Sequence, residues 1–240
     1  MDTCCDVGIE AAFRDAASGC VFQVGDPRTR PELWDRFLRG ALAAYRRFGV
    51  ESALEYQAIR DGGTTSCFIV GLDPDGEAMA GVRILWPYHG LDEVHALRAW
   101  AARPGEQSFR DTLAERLADG IVEVKAVWVD RQTRLPGLGA AVARCVAHAA
   151  WLHDVRYSLM TASAHAVARY VGVGAGVAAE VAPVPYPDRR YTTVPLWWDA
   201  HSYRRGAVPA QAALIDDERA QLIRSAPRSM SETTRRGSRR

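Results

Sequence analysis

The sequence predicts an α/β fold in which a mixed sheet is flanked by helices. Segments with strand-like and helix-like periodicity alternate along most of the chain, which favours one mixed sheet over separate helical and sheet regions. The clearest strand, Ile121–Val129, enters a glycine-containing turn and then a helix. Two further strands are joined by the turn Asp73–Gly76, whose Asp-Pro-Asp-Gly sequence is typical of a hairpin. Apolar residues make up 48% of the 240 residues, which is enough to build a core.

The first half of the chain is expected to form an edge strand, a long helix and the hairpin. Thr29 and Glu32 have the spacing of a capping box, and Pro31 suits the first turn of a helix. Apolar residues then recur at helical spacing as far as Phe48, and Gly49 closes the helix. The strands are predicted at Cys20–Val24, Ser66–Leu72 and Ala78–Leu85.

The second half of the chain is expected to continue with helices and strands in alternation. Segment 86–120 is polar and mixed and contains one helix, and Pro209 suits the start of the last helix. The predicted elements are helices at Gln107–Leu117, Leu138–His153, Ala164–Val171 and Ala210–Ile223, with strands at Tyr157–Thr161 and Thr192–Trp198.

Four segments are predicted along the chain. They are an N-terminal segment at 1–28, the main domain at 29–200, a C-terminal helical extension at 201–224 and an arginine-rich tail at 225–240. The tail holds five arginines and one glutamate among small polar residues, a composition typical of a disordered segment.

Charge and cysteine content exclude several classes of protein. With 30 basic and 29 acidic residues, the formal net charge is +1, which argues against a globally basic nucleic-acid binder. Lys125 is the single lysine; every other basic residue is an arginine. The five cysteines show no paired spacing, and neither a secretory signal nor a run of about 18 apolar residues is visible. We therefore expect reduced thiols and a cytoplasmic location.

The turn between the strand at Ile121–Val129 and the next helix is a candidate site for a pyrophosphate. Unpaired amides at a helix start carry partial positive charge, and glycines let a phosphate approach the backbone closely. Gly137 and Gly139 lie in this turn, and Arg134 adds a full positive charge. A tight strand–helix turn with surface arginines explains the same residues without a ligand.

Three motifs together resemble the GNAT superfamily of N-acetyltransferases, over roughly residues 30–198. Arg134-x-x-Gly137-x-Gly139 after a Val-x-Val strand is similar to the coenzyme A loop of that superfamily. Ala166-x-x-x-Tyr170-x-x-x-Gly174 is similar to its Ala-x-x-x-Tyr-x-x-x-Gly helix, and the hairpin fits its second and third strands.

The resemblance implies that the chain binds an acyl-CoA, or an acyl group on acyl carrier protein, with no metal. In the superfamily the loop amides hold the pyrophosphate. The chemistry of acyl transfer also calls for a group that polarises the thioester carbonyl, and an exposed backbone amide at the end of the strand, near Val127 or Val129, can do so. The residues expected to bind the donor are Val127, Val129, Arg134, Gly137, Leu138, Gly139 and Ala140.

The resemblance also implies a base and an acid. Glu123 lies on the strand where many members keep the carboxylate that deprotonates the acceptor amine, directly or through water. Tyr170 matches the tyrosine that protonates the leaving thiolate. Without the resemblance, Glu123 is equally well explained as a residue on a solvated strand face, and Tyr170 as a core tyrosine.

Departures from the common pattern bear on the donor. Pro136 removes one amide from the loop, and Ser163 stands where many members have asparagine. The long segment 86–120 resembles the acyl-carrier-dependent branch, which includes long-chain N-acyl amino acid synthases and autoinducer synthases. Ala126 replaces an arginine of the autoinducer synthases, so homoserine lactone synthesis is not expected. Side chains expected to cover a medium or long acyl chain are Leu91, Val94, Leu97 and Trp100; alternatively, the segment only packs over the sheet.

The function that these observations favour is an N-acyltransferase. It moves an acyl group from acyl-CoA or acyl carrier protein to a small-molecule amine by direct transfer. The alternative is a non-catalytic GNAT-fold module that binds a ligand or a protein. Convergence of Glu123 and Tyr170 on one open cleft favours the enzyme, and a cleft filled by side chains favours the module.

Overall fold

The protein is described by a computed structural model that covers residues 11–130 and 135–225. Its strands are β1 (Ala12–Arg14), β2 (Val21–Gly25), β3 (Cys67–Leu72), β4 (Ala78–Ile84), β5 (Ile121–Val129), β6 (Tyr157–Ser163), β7 (Gly176–Val177) and β8 (Thr193–Asp199). They form one sheet in the order β1-β2-β3-β4-β5-β6-β8-β7. Within this part of the chain, β5 and β6 are parallel and the other neighbours are antiparallel. The expected mixed sheet is confirmed.

Helices cover both faces of the sheet. They are α1 (Pro31–Arg47), α2 (Tyr56–Ile59), α3 (Leu97–Trp100), α4 (Glu106–Leu117), α5 (Leu138–Leu152), α6 (Ala164–Gly172) and α7 (Pro209–Ser225), with 3-10 turns at Glu51–Leu54, Leu91–Glu93 and Tyr203–Arg205. Among the described residues, none of these helices combines the length and the apolar character of a membrane span.

The predicted capping box at the start of α1 does not form. Arg30 is the N-cap and makes no side-chain cap hydrogen bond. The Thr29 hydroxyl donates instead to the Asp26 carbonyl, at 3.4 Å, because Thr29 belongs to the preceding turn. Pro31 does occupy the first turn, as predicted.

The core lies in layers on the two faces of the sheet. On one face, α1 packs through Phe37 against Phe68 and Trp128, and α3 and α4 cover the neighbouring region. On the other face, α5 and α7 pack on the sheet. These layers leave the ends of β5 and β6, between α1 and α6, as the place where a ligand can enter.

The faces of β5 are set by a bulge at Ala126. Val122 and Val124 point to the α5 face, and after the bulge Val127 and Val129 point to that face again. Ala126 has a φ of 46°, and the β4–β5 register shifts opposite it, between Gly81 and Arg83. A bulge inserts one residue and reverses the alternation of the side chains that follow. Glu123 and Lys125 therefore lie on the α1 face.

The sheet crosses the boundary predicted at residue 29, because β1 and β2 are its first two strands. The C-terminal helix α7 packs beside β1, and the Ser225 hydroxyl bonds to both the amide and the carbonyl of Ala12, each at 2.9 Å. Ser225 is thus the last residue of a helix rather than the first of a tail. Residues 226–240, where the rest of the tail was predicted, lie outside the described residues, as do residues 1–10.

A buried ionic cluster joins α5, α7 and the turn after β1. The guanidinium of Arg144 contacts Asp15 at 2.5 Å and Glu218 at 2.6 Å, and His148 contacts Glu218 at 2.9 Å. Gln211 accepts a further hydrogen bond from Arg144 at 2.8 Å. All four ionisable residues are only 1% exposed. Removing one partner therefore leaves the others as buried, uncompensated charges.

We expect Glu218→Ala to destabilise the fold strongly. Loss of one partner from a buried ion pair costs about 3–5 kcal/mol. The free energy of unfolding, measured by chemical denaturation, should fall by that amount. Asp217→Ala is the matched control, because Asp217 is the exposed neighbour on the same helix. Equal stability of the two variants would contradict a structural role for the cluster.

Candidate active site

A cleft opens where β5 and β6 separate. The two strands pair from Ile121–Tyr157 to Val124–Met160, whereas β5 continues to Val129. The cleft has a volume of about 500 Å³ and is lined by α1, β5, the end of β6, α6 and the loop before β8. The divergence leaves backbone groups of β5 without a strand partner on this side.

The amides of Val127 and Val129 are directed towards the cleft. The next amide, of Asp130, donates to the Met79 carbonyl of β4 at 2.6 Å. Successive amides of a strand point to opposite edges, so the Val129 amide points away from β4, and the Val127 amide points the same way as that of Val129. Both residues also line the cleft. These are the two positions at which the sequence predicted an amide for the thioester carbonyl.

The predicted loop residues have different roles at the start of α5. Gly137 is the N-cap with a φ of 75°, and a Cβ there would lie 2.6 Å from the Cβ of Ala17. Gly137 is thus required by the turn itself. The Ala140 amide donates to the Gly137 carbonyl at 2.8 Å and is already paired, which removes it from the expected donor-binding amides. The amides of Leu138 and Gly139 have no hydrogen-bond partner among the described residues, as is usual for the first amides of a helix.

Gly139 lines the cleft next to a cation that the sequence motifs did not single out. A Cβ on Gly139 would lie 3.2 Å from the Cζ of Arg169, the residue before Tyr170 on α6. No carboxylate among the described residues lies within 4 Å of the Arg169 guanidinium. Arg134, the predicted cation, lies outside the described residues.

We expect Arg169→Ala to weaken binding of acyl-CoA about tenfold or more, because a charge-assisted hydrogen bond contributes about 1.5–3 kcal/mol. Calorimetry should show the loss for acyl-CoA and little change for an acyl-pantetheine, which lacks the pyrophosphate. Arg224→Ala, at the exposed end of α7, is the control. An equal loss for both donors would contradict contact of Arg169 with phosphate.

Tyr170 lines the same cleft from α6. The residue is buried, and no group among the described residues hydrogen-bonds to its hydroxyl. Burial raises the pKa of Tyr170 to about 12, although the charge of Arg169 acts in the opposite direction. The phenol therefore stays protonated near neutral pH and is free to donate a hydrogen bond to a ligand.

Glu123 lies in the interior, not on a solvated strand face, at 1% exposure. Its Oε2 accepts hydrogen bonds from the Tyr88 hydroxyl at 2.6 Å and from the Ala96 amide at 3.0 Å. Its Oε1 lies 3.4 Å from the Nζ of Lys125. Burial and the neighbouring Glu123 charge raise the pKa of Tyr88, which keeps its hydroxyl a donor. The structure thus places Glu123 one side chain away from the cleft.

Lys125 connects Glu123 to the cleft and to a chain of polar groups. Its Nζ lies 2.8 Å from the Nδ1 of His95, whose Nε2 lies 2.7 Å from the Oε2 of Glu55. Burial and the Lys125 charge lower the pKa of His95. A neutral ring accepts from Lys125 at Nδ1 and donates to Glu55 from Nε2. Lys125 lines the cleft, whereas His95 and Glu55 line a second cavity.

The second cavity has a volume of about 680 Å³. Arg83, at 3% exposure, contributes to its wall and donates to the hydroxyls of Thr65 and Thr64, each at 2.6 Å, and to the Thr64 carbonyl at 3.0 Å. Burial lowers the pKa of Arg83 to about 10. No carboxylate among the described residues lies within 4 Å of its guanidinium.

The segment expected to cover an acyl chain packs over the sheet instead. Val94, Leu97 and Trp100 are buried in a cluster with Phe109 and Leu113. None of them lines the cleft; neither does Leu91. Trp100 is fixed further by a 2.8 Å hydrogen bond to the Ala182 carbonyl. The walls of the cleft come from other aromatic residues, namely Tyr45, Phe48, Trp128, Tyr186 and Tyr191.

Comparison with solved structures identifies the class of fold. FeeM, an N-acyl amino acid synthase from uncultured soil microbes, superposes with a TM-score of 0.59 at 14% identity, over 80% of this chain and 96% of FeeM. The CoA-dependent acyl-homoserine lactone synthase MesI gives a TM-score of 0.49 at 16% identity, over 77% of this chain and 93% of MesI. The similarity to FeeM shows that the chain has the fold of the GNAT acyl-CoA N-acyltransferases.

Comparison of sequences identifies the family. Uncharacterised proteins of Mycobacterium tuberculosis and Mycobacterium bovis are each 36% identical over 216 residues, which cover 90% of this chain and 82% of the relative. The chain belongs to the family of these mycobacterial proteins. No protein family profile matches it.

Proposed function

We propose that the protein is an N-acyltransferase that moves an acyl group from a thioester donor to a small-molecule amine. The observation that carries the proposal is the shared cleft. Among the described residues, the Tyr170 hydroxyl without a protein partner, the outward-directed amides of Val127 and Val129, and Gly139 at the start of α5 all border one opening of about 500 Å³. Acyl transfer needs these three groups, for the leaving sulfur, the oxyanion and the donor phosphates respectively.

In the proposed reaction the amine attacks the thioester carbonyl. A carbon–nitrogen bond forms, and the carbonyl oxygen takes up negative charge that the Val127 or Val129 amide stabilises. The carbon–sulfur bond then breaks, and Tyr170 donates its proton to the leaving thiolate. A neutral amine loses one proton and the sulfur gains one, so that transfer is balanced; an acceptor that enters as an ammonium releases one further proton, which leaves through the base to solvent.

Lys125 and Glu123 together supply the base in this proposal. Glu123 is too deeply buried to meet the amine, whereas Lys125 touches both Glu123 and the cleft. When the ammonium of Lys125 passes a proton to Glu123, the neutral amine that remains can accept a proton from the acceptor. The buried carboxylate thus acts through the lysine.

The donor is proposed to be acyl-CoA or acyl-acyl carrier protein. Arg169 and the amides of Leu138 and Gly139 offer positive charge to phosphate, which both donors carry. The apolar side chains of segment 86–120 are buried in a separate cluster and do not line the cleft. The aromatic walls of the cleft are therefore proposed to hold the acyl chain. The open cleft supports this proposal over a non-catalytic binding module.

Native mass spectrometry of the purified protein tests the donor assignment. We expect a complex to form with at least one thioester among acetyl-CoA, decanoyl-CoA and the matching acyl-acyl carrier proteins, and the relative affinities identify the donor. Free acyl carrier protein without an acyl group is the control for unspecific association. Failure of every thioester to bind would contradict the proposed function.

A further inference from the structure

The second cavity contains a buried cation, Arg83, one of whose nitrogens has no acceptor among the described residues. Arg83 is 3% exposed, yet no carboxylate among the described residues forms an ion pair with it. Its Nε and Nη2 hydrogens are used by Thr64 and Thr65. Its two Nη1 hydrogens meet no acceptor among those residues. A buried charge without a partner is costly, and such a group is retained where an anion completes it.

The remaining nitrogen of Arg83 can hold an anion. The threonines fix the plane of the guanidinium, so the two Nη1 hydrogens have set directions in that plane, and a carboxylate oxygen can accept one of them in a charge-assisted hydrogen bond. Glu55 and Glu123 stabilise the Arg83 charge only from beyond ion-pair distance. The site next to Arg83 is therefore open to an anion from outside the protein.

The rest of the cavity indicates what else the ligand carries. Ile59, Leu85 and Trp86 provide apolar walls, and the indole of Trp86 is 41% exposed. Glu55 also lines the cavity and is tied to Lys125 through His95. The cavity thus combines a cation, an apolar wall and a carboxylate linked to the cleft.

We propose that the second cavity binds the carboxylate of the acceptor through Arg83, so that the acceptor is an amine that carries a carboxylate and an apolar body. This assignment rests on the proposed N-acyltransferase function, and the cavity is its acceptor site. The amine is held on the side of Glu55 and Lys125, towards the cleft. Arg83 sets specificity and takes no part in proton transfer.

The test compares acceptors that differ only in the carboxylate. Phenylalanine and phenylalaninamide are matched in the amine and the apolar body, and thiol release from the donor measures transfer to each. We expect the wild type to prefer phenylalanine at least tenfold in kcat/KM. Arg83→Met should raise KM for phenylalanine at least tenfold and leave phenylalaninamide little changed. Arg83→Lys, which keeps the charge without the planar guanidinium, should retain part of the preference.

Arg60→Met is the matched control, since Arg60 is exposed and lies outside the cavity wall. A purely structural role of Arg83 would lower stability and slow both acceptors equally, which would overturn the assignment. Equal use of the two acceptors by the wild type would also overturn it and leave the transferase function intact. Calorimetry with phenylalanine alone separates the two claims, because binding that depends on Arg83 without any thiol release would refute only the transferase. Tighter binding of inorganic phosphate than of phenylalanine would overturn the carboxylate class.

Discussion

Tyr170→Phe is expected to slow acyl transfer by about 100- to 10,000-fold, the usual loss when a general acid is removed. The phenol faces the cleft, has no protein partner among the described residues, and has a pKa raised to about 12. The Tyr170 hydroxyl therefore keeps its proton throughout the neutral pH range. Phenylalanine keeps the shape of the side chain, so donor affinity should be unchanged. Release of free thiol and calorimetry of donor binding measure the two effects.

The chemical role of Tyr170 can be separated from a packing role. An aryl thioester releases a more acidic thiol that needs no proton, so it should restore much of the rate of Tyr170→Phe. Tyr157→Phe is the control, because Tyr157 lies at the other end of β6, away from the cleft. Equal losses with alkyl and aryl thioesters would refute the assignment of Tyr170 as the acid.

Glu123→Gln is expected to lower the rate at neutral pH by a similar factor and to shift the pH profile upwards. Without the carboxylate, Lys125 has no group to receive its proton, and the acceptor amine must lose its proton to solvent. The rate should then rise with pH until the amine itself is neutral, whereas the wild type should level off at lower pH. The pH dependence of kcat/KM measures this shift.

Lys125→Met tests whether the two residues act as one unit. It should give the same pH shift, and the double variant should be little worse than either single one, because groups that act together are not additive. Glu77→Gln, on the exposed hairpin turn, is the control. A flat pH profile in Glu123→Gln, or additive losses in the double variant, would show that the pair is not the base.

The parts of the fold that the sequence predicts are those with long periodic patterns. The stripe of α1 and the valines of β5 identify their elements because burial of one face requires them. The bulge was not predicted, although the valines of β5 change from even to odd positions at Ala126. The short elements β1, β7, α2 and α3 have four residues or fewer, too few to show a period.

The candidate site was predictable only where its residues belong to a local motif. Tyr170 and Gly139 lie in such motifs and face the cleft. Arg83 and His95 are brought to the site by strand order and by the fold of segment 86–120, which no local spacing encodes. Lys125 could have been noticed in the sequence, because it is the only lysine and the other Lys or Arg positions are all arginine. Contacts over long separations, such as Asp15 with Arg144, were likewise invisible.

Direct transfer of an acyl group is tested by incubating the purified protein with an acyl-CoA and an amine and measuring the products by mass spectrometry. We expect an N-acyl amine and free coenzyme A in equal amounts, formed at a rate that depends on both substrates and is lost in Tyr170→Phe. Thioester that remains intact, or that is hydrolysed to free acid at the same rate with and without amine, would contradict the proposed N-acyltransferase.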